Sequence, residues 1–186
     1  MMNYCEIKYF DIANGPGVRT SLFVSGCTHH CKGCFNEMAW DFDSGKEYTT
    51  DVEGEIISSL SPSFIAGLTI LGGEPMEVRN QSGVAGLIKR IKADLPEKSI
   101  WLFSGYTLEE LLDVSNSRCH GEHTMDILNN IDVLVDGKFI LELKDLSLKF
   151  RGSSNQRIID MKRSLAENRV VLSEYMEKSV SYTHLT

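Results

Sequence analysis

Short apolar runs alternate with amphipathic stretches along the chain, as expected of an α/β protein. Apolar runs at Thr20–Ser25, Leu68–Leu71, Ile100–Ser104 and Val133–Asp136 predict strands. Between the first two, Val52–Leu60 predicts a helix, with Asp51 placed to cap it. A second helix is predicted over about 82–95, where Val84, Leu87, Ile88, Ile91 and Leu95 recur at helical spacing as one stripe. A third opens at Thr107, with Glu110 three residues on in a capping-box pattern. Repeated strand–helix–strand units imply a parallel sheet with helices outside it and right-handed crossovers. With so few units the expected fold is an open or incomplete (βα) barrel. Ligands of such sheets bind at the C-terminal strand ends, which singles out the loops after Ser25, Leu71, Ser104 and Asp136. The polar segment Ser115–Thr124 reads as a surface excursion. Residues 1–172 read as one domain, and 173–186 as a loosely attached tail.

Composition changes this picture little. The 186 residues are 42% hydrophobic and 24% charged, values of an ordinary globular domain. The net charge of −7 argues against a nucleic-acid binder working through a broad basic face. The chain has no long apolar span, and its first residues lack a basic start and apolar stretch, so a cytoplasmic protein is expected. In that reducing compartment, three of the five cysteines within eight residues read as metal ligands, not as a disulfide framework.

Those three follow the first predicted strand: Gly26-Cys27-Thr28-His29-His30-Cys31-Lys32-Gly33-Cys34-Phe35. The C-x3-C-x2-C spacing lets one short loop wrap three thiolates around a compact cluster. A four-iron cluster takes four ligands, so three cysteines leave one iron open, and an open position marks a catalytic rather than a structural site. The competing reading is zinc completed by His29 or His30, although zinc sites usually pair cysteines from two segments and no second C-x2-C occurs. Otherwise both histidines read as solvent-facing. A second motif, Leu71-Gly72-Gly73-Glu74-Pro75, ends the next strand. Its glycines permit close backbone approach, and Glu74 offers a carboxylate to an ammonium group; the alternative is a plain strand-to-helix turn.

The cysteine loop with Phe35 after it, joined to Gly72-Gly73-Glu74-Pro75, resembles the radical S-adenosylmethionine superfamily. That resemblance implies a [4Fe-4S] cluster on Cys27, Cys31 and Cys34, whose open iron takes the amino and carboxylate groups of S-adenosyl-L-methionine. It further implies that Gly33, Cys34 and Phe35 lie against the adenine, and that Gly72, Gly73 and Glu74 meet the methionine amino group. One-electron cleavage would then give methionine and a 5′-deoxyadenosyl radical.

Three further segments narrow the resemblance: Asn14-Gly15-Pro16-Gly17, Asp132–Phe139 and Arg151-Gly152-Ser153-Ser154-Asn155-Gln156. Over about residues 3–163 they resemble the activating proteins of anaerobic (class III) ribonucleoside-triphosphate reductases. The implied partners are the large reductase subunit, which would receive a glycyl radical, and a flavodoxin- or ferredoxin-type electron donor. Alternatives are an activase of another glycyl-radical enzyme, of the pyruvate formate-lyase type, or a non-catalytic zinc or iron–sulfur module. Read from residues alone, the first and last segments are turn-rich loops, and Arg19 and Arg151 read as solvated surface side chains, with pairing to a partner's or the cofactor's carboxylates as the alternative. Ser104–Thr107 is either a ribose or carboxylate contact or a glycine turn before a capped helix. The role of Asp136-Gly137-Lys138 stays open. Cys119–His123 reads as a flexible insertion, with an accessory metal site as the alternative, and Cys5 as isolated.

Overall fold

The computed structural model describes residues 1–176. Its centre is four strands whose apolar residues alternate between two buried faces. These are β2 (Val18–Val24), β4 (Ile65–Gly72), β5 (Ser99–Ser104) and β6 (Val133–Asp136). They pair in parallel in that order. Three strands missed in the sequence complete the sheet: β1 (Asn3–Asp11), the two-residue β3 (Lys46–Glu47) and β7 (Arg157–Asp160). The order is β3-β1-β2-β4-β5-β6-β7, an open sheet with antiparallel pairings at both edges. The expectation of a wholly parallel sheet is therefore corrected: only the centre is parallel. An antiparallel neighbour needs no helical crossover, so the flanks add strands that the βα pattern does not announce.

On one face Leu22, Val24, Leu68, Ile70, Ile100, Leu102 and Leu134 form a single core with the helices. Helix α1 (Thr50–Leu60) contributes Ile56 and Leu60, and α2 (Val78–Asp94) contributes Val84, Leu87, Ile88 and Ile91. Short helices α3 (Leu108–Leu112), α4 (Thr124–Leu128) and α5 (Met161–Glu167) complete that layer. The cap of α1 is Thr49, whose side chain accepts from Val52 N, and not Asp51. Asp51 lies in the first turn, where a negative charge still favours the helix dipole. The capping box at Thr107 and Glu110 is present. Helix α2 starts at Val78, four residues before the expected start.

The other face of β5 and β6 carries Trp101, Val133 and Val135, packed with Ile158, Phe150, Tyr175 and Met176. Trp101 meets Phe150 and Tyr175 edge-on, each at 5.4 Å between ring centres. Ser173 N also donates to Ile158 O at 2.8 Å. Residues 173–176, expected in a loose tail, thus cover the sheet, and 177–186 of that tail lie outside the described residues. Segment 115–124 is not a mere surface excursion either. Cys119 and Thr124 are fully buried, and Gln81 of α2 donates to Cys119 O at 2.7 Å and accepts from Thr124 Oγ1 at 2.9 Å. Among the described residues no helix is long and apolar enough to cross a membrane.

Candidate metal centre

The parallel strands deliver their C-terminal loops to one end of the sheet. The loop after β2 holds Cys27, which is buried, and Cys31 and Cys34, which are half-buried; all three are free thiols. Gly26, at φ +96°, makes the turn out of β2 that the left-handed region requires. The loop is then pinned by Gly26 N to Ala39 O at 2.7 Å and Cys27 N to Trp40 O at 3.0 Å. Asn36 N donates to Cys34 Sγ at 3.4 Å. Burial pushes the Cys27 thiol up to about 12 and raises Cys31 as well. Both thiols are therefore protonated at neutral pH until a cation displaces the proton, as metal coordination does.

The Gly72–Glu74 loop packs directly against this one. Gly73 N donates to Val24 O and Glu74 N to Gly26 O, both at 2.8 Å. A Cβ on Gly73 would stand 2.5 Å from Gly26 O, so only glycine allows the two loops to meet. Glu74, 1% exposed, then gathers the next loop. Its Oε1 accepts from Met76 N at 2.9 Å and Ser104 Oγ at 2.8 Å. Its Oε2 accepts from Gly105 N at 2.6 Å and faces His29 Nε2 at 3.1 Å. The loop after β6 joins through Asp136, fully buried, which accepts from Leu108 N at 2.7 Å. Four strand ends thus form one hydrogen-bonded mouth.

Several side chains differ from their sequence reading. His29 is not solvent-facing: its ring lies against Glu74 and packs on Tyr106, 4.3 Å between centres. His30 is exposed on one side but stacks on Trp40 at 4.5 Å. Arg19 is fully buried at the opposite end of the sheet, where its donors reach Thr69, Ser99 and the carbonyls of Pro16, Leu68 and Ser99. Arg151 donates to Ser154 O and Gln156 O, closing its own loop. Cys119, His120 and His123 do not converge. Cys119 Sγ faces Glu110 O, His120 Nδ1 faces Leu111 O, and His123 lies near Asp126. Phe35 stands 79% exposed beside Cys34, with Met38 also exposed. Leu141 closes over Gly33 from the segment after β6, coming within 2.9 Å of where a Gly33 Cβ would stand.

The segment 151–156 proves to be a lock. Gln156 Oε1 accepts from Gly152 N and Ser153 N, its Nε2 donates to Gly137 O, and Asn155 donates to Lys138 O. Asp136-Gly137-Lys138, left open by the sequence, is therefore held from that side. Sequence reasoning also missed Glu77, whose Oε1 accepts from Thr28 N at 2.8 Å and Thr28 Oγ1 at 2.6 Å. Arg118 donates to Thr28 Oγ1 at 3.1 Å and lies over the Tyr106 ring. No spacing rule announces these contacts, because they bring together loops far apart in the chain.

The fit of an iron–sulfur cluster rests on two features of this mouth. Among the described residues, no three Cys, His, Asp or Glu side chains are gathered tightly enough for a single metal ion. The donor set fits by its chemistry: three free thiols within eight residues of one loop can each bind a different iron of a [4Fe-4S] cluster. Among the described residues, moreover, buried Trp40 Nε1 and Asn80 Oδ1 have no hydrogen-bond partner. Trp40 stacks on His30 of the thiol loop, and Asn80 donates to Ser25 O and Glu74 O, so polar capacity is spare beside the two loops.

Comparison with known proteins agrees. Residues 13–159 match the family model described as a 4Fe-4S single cluster domain. An anaerobic ribonucleoside-triphosphate reductase-activating protein of Vibrio cholerae is 47% identical over 159 residues, covering 84% of this chain and 97% of the relative. The Escherichia coli K12 protein of the same name is 43% identical over 157 residues, covering 83% and 96%. That of Enterobacteria phage T4 is 40% identical over 157 residues, covering 84% and 93%. With its thiol loop at the head of a parallel sheet, the chain belongs to the family of anaerobic ribonucleoside-triphosphate reductase-activating proteins, built on a 4Fe-4S single cluster domain.

Proposed function

We propose that this protein is a radical S-adenosylmethionine activase that places a glycyl radical on the large subunit of an anaerobic ribonucleoside-triphosphate reductase. The observation that carries the reading is the union of two loops. The three-thiol loop and Gly72–Glu74 share backbone hydrogen bonds from Gly73 to Val24 and from Glu74 to Gly26, so both face one mouth. On this reading Cys27, Cys31 and Cys34 hold a [4Fe-4S] cluster. When bound and reduced, that cluster supplies the electron that cleaves S-adenosyl-L-methionine to methionine and a 5′-deoxyadenosyl radical.

The chain's own residues bind and orient. Three thiolates leave one iron without a protein ligand, open to the cofactor's amino and carboxylate groups. Gly72, Gly73 and Glu74 receive the N–H groups of that amino group, and Gly33, Cys34 and exposed Phe35 receive the adenine. The open sheet, whose end strands β3 and β7 do not pair with each other, leaves a side free for a protein substrate in the manner of an incomplete barrel. A flavodoxin- or ferredoxin-type protein supplies the electron, and the work is done in the cytoplasm by a single domain.

Anaerobic reconstitution tests this. The reading predicts a brown protein with about four irons per chain. After reduction it releases 5′-deoxyadenosine and methionine, and it raises a glycyl radical, seen by paramagnetic resonance, on the reductase. Colourless protein with stoichiometric zinc would sink it. A radical raised only on a pyruvate formate-lyase type partner would move the substrate and keep the chemistry.

A further inference from the structure

Glu74 is the most heavily engaged side chain at the mouth, and its four contacts are not equivalent. An ionised carboxylate offers about four lone-pair positions. Here they are taken by Met76 N, Ser104 Oγ, Gly105 N and His29 Nε2. Since the carboxylate can only accept, the proton of His29 sits on Nε2. Two of the donors, Met76 N in the turn into α2 and Gly105 N just past the end of β5, are backbone groups fixed by the fold. The third is the Ser104 hydroxyl, which itself accepts from Tyr106 N at 3.1 Å. The fourth is the imidazole of the thiol loop, flanked by Cys27 and Cys31.

The His29 ring packs on Tyr106 and comes close to Gly105, where a Cβ would stand within 2.6 Å of it. Its bond to Glu74, at 3.1 Å, is the longest of the four. With the imidazole in place, Glu74 has no free lone pair and almost no exposed surface. A ligand amino group therefore finds the carboxylate already occupied.

We propose that His29 is a placeholder for the cofactor's amino group: its Nε2–H holds a position on Glu74 that the ligand's N–H takes, and binding requires its displacement. The proposal rests on the reading above that Glu74 receives the amino group. It makes His29 a positioning residue that tunes cofactor affinity rather than a group that touches the reacting bond. The imidazole offers Glu74 a hydrogen bond in the free protein, so the ligand gains only the difference between its own bond and that one. Ground-state competition of this kind lowers affinity without reshaping the site.

The sign of the effect makes the test sharp, because damage to a loop weakens binding whereas removal of a competitor strengthens it. Equilibrium binding of S-adenosylhomocysteine, which keeps the amino and carboxylate groups but is not cleaved, is measured on the anaerobically reconstituted protein. Variants H29A and H29F lose the N–H donor, and H29F keeps a ring against Tyr106. Both are expected to bind about tenfold tighter, a difference of about 1.4 kcal/mol, with iron content unchanged. H29Q keeps an N–H donor and is expected to return affinity to that of the unaltered protein. A deaminated analogue is expected to show no gain with any variant. Unchanged or weakened binding by both H29A and H29F overturns the proposal, as does equal tightening of the deaminated analogue. If the unaltered protein binds neither S-adenosylhomocysteine nor S-adenosyl-L-methionine, the functional reading itself has failed.

Discussion

Asp136 and Arg157 face each other across the antiparallel β6–β7 pair and are joined by two hydrogen bonds, Nε to Oδ1 at 2.9 Å and Nη2 to Oδ2 at 2.6 Å. The carboxylate is fully buried and also holds Leu108 N at the start of α3. Removing Arg157 would strand a buried charge, which costs about 3 kcal/mol. Arg157→Met is expected to lower unfolding stability by about that amount in urea denaturation. Arg157→Lys is expected to recover only part, since one ammonium cannot reproduce the two-pronged contact. Equal stability of Arg157→Met and the unaltered protein would show that the pair carries no weight.

Arg157 continues outward to Glu109, and hydrogen bonds from its guanidinium hold that carboxyl below its ordinary value of 4.5. A carboxyl whose folded value is depressed stabilises the fold above its unfolded value, and that contribution fades as pH falls through the folded one. Glu109→Gln is therefore expected to flatten the decline of stability below about pH 4.5 while changing little at neutral pH. Melting temperatures across an acid series check this. Because Glu109 is largely exposed, solvent screening keeps the neutral-pH effect small.

At the other end of the sheet, Arg19 is buried with each N–H donor used and, among the described residues, with no carboxylate bonded to it. Burial lowers its pKa to about 10, which still leaves it charged at neutral pH. Thr69, which accepts from Arg19 Nε, donates in turn to Asn14 O, so the arginine anchors the 14–17 turn. Arg19→Met is expected to leave those acceptors unpaired, to destabilise the chain by at least about 2 kcal/mol, and to speed amide exchange at residues 14–17. Iron uptake is expected to survive, because the thiol loop lies at the far end of the strands.

The readable and unreadable parts of the sequence divide along physical lines. Strands β4 to β6 and the stripe Val84, Leu87, Ile88 and Ile91 were legible because burial imposes a period on apolar residues. The thiol loop stood out because its three cysteines fall within eight residues, a local pattern that needs no tertiary information. Strand β1 went unread because it is mostly exposed, from Lys8 to Phe10 on both faces, and bulges break its register. Arg19 read as surface because no local signal shows that Thr69 and Ser99, far along the chain, supply its acceptors. His29 read as exposed for the same reason: its partner Glu74 lies 45 residues away.

Gly73 lies where the Gly72–Glu74 loop meets the thiol loop, a contact that mutation can exploit. A Cβ there would press on Gly26 O at 2.5 Å and Ala39 O at 2.9 Å, both backbone atoms that cannot rotate aside. Gly73→Ala is therefore expected to push the Gly72–Glu74 loop off the thiol loop and weaken S-adenosyl-L-methionine binding at least tenfold, about 1.4 kcal/mol. The three thiols remain, so iron content is expected to hold. Cys27→Ala, Cys31→Ala and Cys34→Ala should do the reverse, losing iron first and cofactor binding with it. Cys5→Ala and Cys119→Ala serve as controls; Cys119 is fully buried in the core, so its truncation should cost about 1 kcal/mol of stability and no iron. Iron assays beside binding isotherms on the six variants check the split. Loss of iron in Gly73→Ala at normal cofactor affinity would mean that the two loops do not divide the work.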